Sequence, residues 1–133
     1  MFSFFTAKEA NDALPDVIKK FEYSLAKKND ITKIEKELQL TVSTTNSFEK
    51  YMELKQKLNT AITKFYQSIE ILESTGVMIK SIDQGLLDFP SKRFDEEVCL
   101  CWKHGETEIK FWHDKESGFM GRKPIEVSDE SLV

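Results

Sequence analysis

The sequence predicts an α+β protein in which a long antiparallel helical hairpin packs on a small antiparallel sheet of three or four strands. Apolar residues recur every three or four positions through most of residues 6–75, which is the spacing of a buried helix face. After Gly76 the pattern changes to short apolar runs separated by turn residues, which indicates strands. We expect a single domain over residues 1–125 and a flexible acidic tail at 126–133.

The first helix begins with a capping box, because Thr6 and Glu9 are spaced so that each side chain can bond the other's backbone amide. Pro15 removes a backbone donor and clashes with the carbonyl four residues earlier, so we expect a kink or a second start near residues 11–14. The apolar positions of this helix are Ala10, Leu14, Val17, Ile18, Phe21 and Leu25.

The apolar phase shifts after Asn29 and Asp30, which predicts that the first arm of the hairpin loosens there. The hydroxyl-rich segment 41–47 competes with helical hydrogen bonding and is predicted to form the turn. Ser47 caps the second helix, which we expect to end at Gly76. Its predicted seam alternates steps of four and three, as in a coiled coil, and is widened by Leu54, Ala61 and Ile71. The seam positions are Tyr51, Lys55, Leu58, Ile62, Phe65, Ile69 and Leu72.

The sheet is predicted over residues 77–125. Residues 77–82 and 86–90 are expected strands, and Pro90 ends the second one or places it at an edge. Residues 97–104 and 107–113 are expected to form a hairpin closed by a two-residue turn at Gly105 and Glu106. In that register one face carries Val98, Leu100, Trp102, Ile109, Phe111 and His113, and the other carries Cys99, Cys101, Lys103, Lys110 and Trp112.

Charge and hydropathy exclude several classes of protein. The chain has 19 Lys and Arg against 23 Asp and Glu, a net charge of −4 with no concentrated basic patch, so nucleic acid is not an expected partner. No apolar run approaches the length that spans a bilayer, and the apolar start, residues 1–6, is too short for the core of a signal peptide. We therefore expect a cytoplasmic protein that does not interact with a membrane.

Four potential metal ligands lie close together in the sequence, namely Cys99, Cys101, His104 and His113. A zinc site needs donors that converge, and the predicted register places the cysteines and the histidines on opposite faces of the hairpin. The same geometry argues against a cysteine nucleophile with His113 as its base. We therefore predict neither a metal, nor another cofactor, nor a catalytic residue here.

The segment Trp112–Arg122 is the strongest candidate for a binding site. Gly118 and Gly121 permit positive φ and let backbone amides converge, and the Arg122 guanidinium suits a carboxylate or phosphate. A pocket for a small anion would combine Arg122, His113 and Trp112 with an acidic partner, Glu106 or Asp88. In the alternative interpretation the segment is a structural clasp, in which Arg122 pairs with Asp88, Glu106 or Asp114.

Four segments together resemble a family of small archaeal and bacterial proteins that is catalogued as a domain of unknown function: FTAKEANDALP (5–15), GLLDFPS (85–91), LCWKHGE (100–106) and FWHDKESGFMGRKPI (111–125). The resemblance covers the first helix and most of the C-terminal third. It implies no activity, substrate or cofactor, but it places the family's signature around Asp88, Cys101, Glu106, Trp112 and Arg122. Cys99 and His104 are not part of that signature.

Two hypotheses for the function follow. In the first, the chain is an interaction or assembly module without catalytic activity, which forms a homodimer through its long helix and can engage a protein partner. In the second, it binds a small molecule or anion, with or without catalysis, through the segment Trp112–Arg122.

Overall fold

The computed structural model describes residues 4–126 and confirms the α+β class. Two helices, α1 (Ala7–Thr44) and α2 (Phe48–Glu73), form the predicted hairpin. The sheet has five strands rather than three or four: β1 (Met78–Ser81), β2 (Leu86–Arg93), β3 (Glu96–Lys103), β4 (Phe111–Asp114) and β5 (Lys123–Pro124). They lie side by side in chain order, and each is antiparallel to its neighbours. Residues 127–133, most of the predicted acidic tail, lie outside the described part.

The first helix is continuous, so the second start offered near Pro15 and the loosening predicted at Asn29 and Asp30 were wrong, whereas a kink at Pro15 stays a prediction. The capping box is present: Thr6 Oγ1 accepts from the Glu9 amide at 3.1 Å, and Glu9 Oε1 accepts from the Thr6 amide at 2.9 Å. Pro15 lies on the exposed side of α1, where the carbonyl that loses its donor can bond to water. The buried positions on either side of Pro15 therefore stay in phase.

Polar residues at buried positions explain the phase shift that the sequence suggested in α1. Ser24 and Thr41 are buried, and Ile31 and Leu38 lie half-buried between them, so one stripe runs along the whole helix. An apolar pattern alone cannot trace a stripe that passes through a serine and a threonine. The same face of α1 therefore packs against α2 along the whole hairpin.

The seam predicted on α2 was rotated from the real one. Ser47 caps this helix as predicted, with its Oγ accepting from the Lys50 amide at 3.2 Å. The buried residues of α2 are Leu54, Ala61, Ser68 and Leu72, whereas the predicted positions other than Leu72 are half-buried or, at Lys55, exposed. Small residues at the centre of the seam let two helices approach closely. The prediction counted Leu54 and Ala61 only as flanks of the seam and did not include Ser68.

The hydrophobic core lies between one face of the sheet and the base of the hairpin. Trp102 is fully buried and meets the Phe21 ring edge to face, with centroids 5.3 Å apart. The core reaches up the helices only to Phe21 and Leu72, with Leu25 and Ile69 at its margin. Residues 26–64, which we call the distal hairpin, extend beyond it by roughly 28 Å at 1.5 Å per residue. No helix within residues 4–126 is long and apolar enough to cross a membrane.

The predicted register of β3 and β4 was wrong by one residue. The chain leaves β3 at Lys103 and returns only at Phe111, so the connection is longer than the two residues predicted, and Leu100 pairs with Trp112 instead of Phe111. The connection is held against α1, where Asn11 Oδ1 accepts from the Ile109 amide at 2.6 Å. A slip of one residue exchanges the two faces of a strand.

The β2–β3 hairpin was not predicted. It closes with Phe94 and Asp95 at φ +50° and +68°, a two-residue turn of the kind that suits the twist of a hairpin. Pro90 lies inside β2 rather than at its end, beyond the point where β1 stops pairing at Asp88. Its carbonyl accepts from the Phe5 amide at 2.7 Å. Neither predicted option holds for the strand as a whole, since β2 lies between β1 and β3, but at Pro90 itself β1 no longer pairs with it.

Candidate functional site

The face of the sheet that points away from the helices contains a buried polar cluster. Side chains alternate along a strand, so Leu87, Phe89, Leu100, Trp102 and Trp112 point to the helices. Asp88, Cys99, Cys101 and His113 point the other way, and each is at most 2 % exposed. We call these four residues the outer-face cluster. Such a face is commonly solvated when helices cover only one side, so buried polar groups here need a reason.

The change of register brings His113 into this cluster, next to the cysteines. Cys99 pairs directly with His113, and Asp88 pairs with Cys101 on the neighbouring strand. The prediction that histidines and cysteines lie on opposite faces was therefore wrong for His113. It holds for His104, whose ring packs 5.0 Å from the Phe21 ring, centroid to centroid.

Both ring nitrogens of His113 are hydrogen-bonded. Nδ1 lies 2.7 Å from the backbone oxygen of Asp114, and because that oxygen only accepts, Nδ1 carries a proton. Nε2 lies 3.0 Å from Asp88 Oδ1. One proton must lie between these two atoms, either on the imidazolium or on the carboxylic acid. The two side chains therefore form a buried pair that shares a proton and is neutral overall.

The second oxygen of Asp88 has no hydrogen-bond donor. Asp88 Oδ2 is buried, and the cation of Lys80 lies 4.0 Å from it, beyond hydrogen-bonding distance. A buried acceptor without a donor costs about 1–3 kcal/mol. Among the buried polar side-chain atoms of residues 4–126, only Asp88 Oδ2 and the hydroxyl of Ser24 lack a hydrogen-bond partner.

The two thiols are free and are not activated as nucleophiles. Burial, with a smaller contribution from the Asp88 charge, raises the pKa of Cys99 to about 11. Burial also raises the pKa of Cys101, although the Arg122 guanidinium opposes the shift. A nucleophilic cysteine needs a lowered pKa or a free base beside it, and both nitrogens of His113 already have partners.

The outer-face cluster contains a set of metal-ligand atoms. One ligand atom from each of Asp88, Cys101 and His113 lies within 4.8 Å of the other two. Of the four metal ligands that the sequence suggested, this set keeps Cys101 and His113 and adds Asp88. A carboxylate oxygen, a thiol and an imidazole nitrogen are the donor types of zinc sites.

Arg122 forms a clasp beside the cluster. Its guanidinium donates to Glu106 through Nη2–Oε2 at 2.7 Å and Nη1–Oε1 at 3.3 Å. The Phe111 and Phe119 ring centroids lie 3.9 Å and 4.5 Å from its central carbon. Nη1 is also 3.9 Å from Cys101 Sγ. Of the acidic partners that the sequence suggested for Arg122, the structure places Glu106 here and puts Asp88 with His113.

The remaining residues of the predicted anion pocket do not converge. Trp112 is buried in the core, although the predicted register pointed it away from the core. Gly118 has positive φ, but Gly121 does not, and the amides of Gly121 and Arg122 bond to carbonyls within the same turn. These two amides are therefore not available to hold an anion.

A comparison with known protein families assigns the chain to one of them. The model of an uncharacterised conserved protein family, DUF2203, matches residues 3–125. The chain belongs to this family. No curated protein and no solved structure matches it.

The DUF2203 match confirms the family resemblance that the sequence suggested, and it spans both the distal hairpin and the outer-face cluster. Sequence reasoning missed the pairing of Asp88 with His113. A signal was present, because LLDFPS and VCLCW are nearly continuous apolar runs rather than alternating ones. Such runs indicate strands that are buried on both faces. A polar residue within such a strand, such as Asp88, is therefore expected to be buried and to have a polar partner.

Proposed function

We propose that the chain is an assembly module without catalytic activity, which forms a homodimer through its distal hairpin. One observation carries the proposal: the distal hairpin is a two-helix arm, and nothing else within residues 4–126 forms a third layer over it. Two helices alone leave much of their apolar surface in water, and helical stability depends mainly on packing such surface. A second copy of the chain would supply the missing layer.

Exposed apolar side chains gather at the end of the distal hairpin and support this proposal. Leu40, Val42, Phe48 and Met52 expose 62, 61, 73 and 41 % of their surface. Single exposed apolar residues are ordinary, but four of them within thirteen positions concentrate apolar surface around the hairpin turn, and association sites are rich in such surface.

The distribution of charge favours a second copy that lies antiparallel to the first. The distal hairpin contains eight Lys and Arg against five Asp and Glu, a balance of +3. The rest of the chain contains eleven against eighteen, a balance of −7. An antiparallel pair would place each basic hairpin beside the acidic sheet end of the other copy, which is favourable and sensitive to salt.

The neighbourhood of Arg122 favours this function over ligand binding. The guanidinium that would hold an anion is occupied by Glu106 and enclosed by two phenyl rings. The raised thiol pKa values and the fully bonded His113 disfavour catalysis. The free thiols of Cys99 and Cys101 suit the reducing environment of the cytoplasm.

Light scattering after size-exclusion chromatography tests the proposal. At micromolar concentration the mass should be about twice the 15.4 kDa of one chain. The double variant Leu40→Lys/Phe48→Glu should be monomeric, and it places each charge at a helix end where the dipole favours it. Met120→Gln is the matched control, because Met120 is 92 % exposed but lies outside the hairpin.

Salt provides a second test of the same proposal. Raising it from about 0.1 M to about 1 M shortens the Debye length from about 10 Å to about 3 Å and should shift the equilibrium toward monomer. A monomer at both salt concentrations would contradict the proposal. A dimer that the hairpin variant leaves intact would contradict the assignment of the interface.

A further inference from the structure

We propose that Asp88, Cys101 and His113 bind one divalent transition-metal ion of the zinc class on the outer face of the sheet. This site is separate from the distal hairpin and does not depend on dimer formation. It revises the sequence-based prediction of no metal, which depended on a hairpin register that the fold does not adopt.

The spacing of the donor atoms is close to that of a metal site. The three atoms lie within 4.8 Å of one another, and Asp88 Oδ1 is already 3.0 Å from His113 Nε2. Bonds of about 2.0–2.3 Å at tetrahedral angles separate ligand atoms by about 3.3–3.8 Å. Small side-chain rotations of Cys101 and Asp88 therefore suffice to bring the donors to bonding distance.

His113 is held in the orientation that a metal ligand needs. Its Nδ1 donates to the Asp114 carbonyl at 2.7 Å, which fixes the ring and leaves Nε2 pointing at Asp88. Metal-binding histidines commonly donate their other nitrogen to a carbonyl or carboxylate in this way. The backbone of β4 therefore supplies the supporting contact without any rearrangement.

The unsatisfied oxygen of Asp88 also points to a missing partner. Asp88 Oδ2 is buried without a donor, in a side chain that is 3 % exposed. A metal ion bound to either oxygen of the Asp88 carboxylate would offset the cost of burying that carboxylate. Ser24 is the other unsatisfied buried side chain in residues 4–126, and it lies in the helical hairpin rather than among potential ligands.

The charges balance when the ion binds. Cys101 loses its thiol proton, and the Asp88–His113 pair loses the proton that it shares. The ligands then carry −2 in total, which neutralises the ion in a site that excludes water. Each ion bound therefore releases two protons. The thiolate and imidazole favour zinc-class ions over Mg²⁺ or Ca²⁺, which prefer oxygen ligands.

A cavity of about 90 Å³ lies beside the cluster at Cys99, with Met78 and Pro90 also in its lining, although none of the three proposed ligands lines it. The nearest cations are compensated or exposed: Arg122 is paired with Glu106, and the Lys80 side chain is half-exposed at 4.0 Å from Asp88.

Cobalt(II) is the appropriate probe, because a cobalt–thiolate bond gives a charge-transfer absorption band that oxygen and nitrogen ligands alone do not give. Tag-free full-length protein should bind one Co²⁺ per chain with this band, and Zn²⁺ should displace it. Calorimetry in buffers of different ionisation enthalpy should count two protons released. These wild-type measurements do not depend on whether any variant folds.

Two serine variants locate the ligand. Cys101→Ser should abolish the band and weaken Co²⁺ binding by about 100-fold or more. Cys99→Ser is the matched control, since Cys99 is equally buried on the same strand and face but does not belong to the ligand set. The absence of a stoichiometric site with the band in the wild type would overturn the proposal. Retention of the band in Cys101→Ser, or its equal loss in both variants, would overturn the assignment of the ligands.

Discussion

Replacement of Arg122 by methionine tests whether this residue is a structural clasp. Methionine keeps much of the side-chain length but removes both hydrogen bonds to Glu106 and the stacking between Phe111 and Phe119. The side chains of Arg122 and Glu106 are 18 % and 23 % exposed, so water screens the pair only in part.

The expected cost follows from these contacts. The 2.7 Å bond is short and charge-assisted, whereas the 3.3 Å bond is long, so the pair should contribute about 1.5–3 kcal/mol. Each phenyl contact adds about 0.5–1 kcal/mol. We expect Arg122→Met to lower the free energy of unfolding by about 2.5–5 kcal/mol, a large share of the stability of a small domain.

A double-mutant cycle with Glu106→Gln isolates the pair. Urea unfolding followed by circular dichroism should give a coupling energy of about 1.5–3 kcal/mol between the two positions. Lys110→Met is the control, because its exposed pair with Glu108 at 3.9 Å should contribute less than about 0.5 kcal/mol. A coupling below about 0.5 kcal/mol for Arg122 and Glu106 would refute the clasp and make Arg122 available for an anion.

Three further substitutions test the local arguments. Asn11→Ala should cost about 1–3 kcal/mol in urea unfolding, because it leaves the Ile109 amide buried without its acceptor; a cost within about 0.5 kcal/mol would contradict the role given to Asn11. Pro15→Ala should stabilise the protein by about 1–3 kcal/mol, since the exposed proline interrupts a continuous helix, and a destabilised variant would show that its ring is needed. The hydrogen bond from Lys115 lowers the pKa of Glu97, so NMR titration should find that Lys115→Met raises it. The stabilisation by the Glu97–Lys115 pair should be present above the unfolded pKa of Glu97 and lost as the pH falls through the folded pKa. An unchanged pKa of Glu97 in the variant would show that Lys115 does not lower it.

The helix boundaries were predictable because their determinants are local. The Thr6–Glu9 capping box, the Ser47 cap and the change of period after Gly76 each depend on residues within a few positions of one another. The seam of α2 was less accessible, since its centre contains Ser68, which no apolar pattern marks as buried.

The candidate site was only partly predictable. The sequence identified Cys101, His113, Glu106 and Arg122 as the residues that carry chemistry, and the structure brings all four to the same region. The sequence analysis placed Cys101 and His113 on opposite faces of the hairpin, because the faces of a strand depend on its register and the predicted register was wrong. The acidic partner of each basic group was likewise undetermined by the sequence.

The sequence by itself determined the fold class, the helical hairpin with its caps, and the family, because these follow from spacing, composition and short motifs. Only the tertiary structure decided which side chains share a face of the sheet. The β3–β4 connection packs against α1 through the bond from Ile109 to Asn11, 98 residues earlier in the chain, and its length goes with a register of β4 that the local sequence does not reveal. One residue of register turns Trp112 into the core and brings His113 to Asp88 and Cys101, because neighbouring side chains on a strand point in opposite directions.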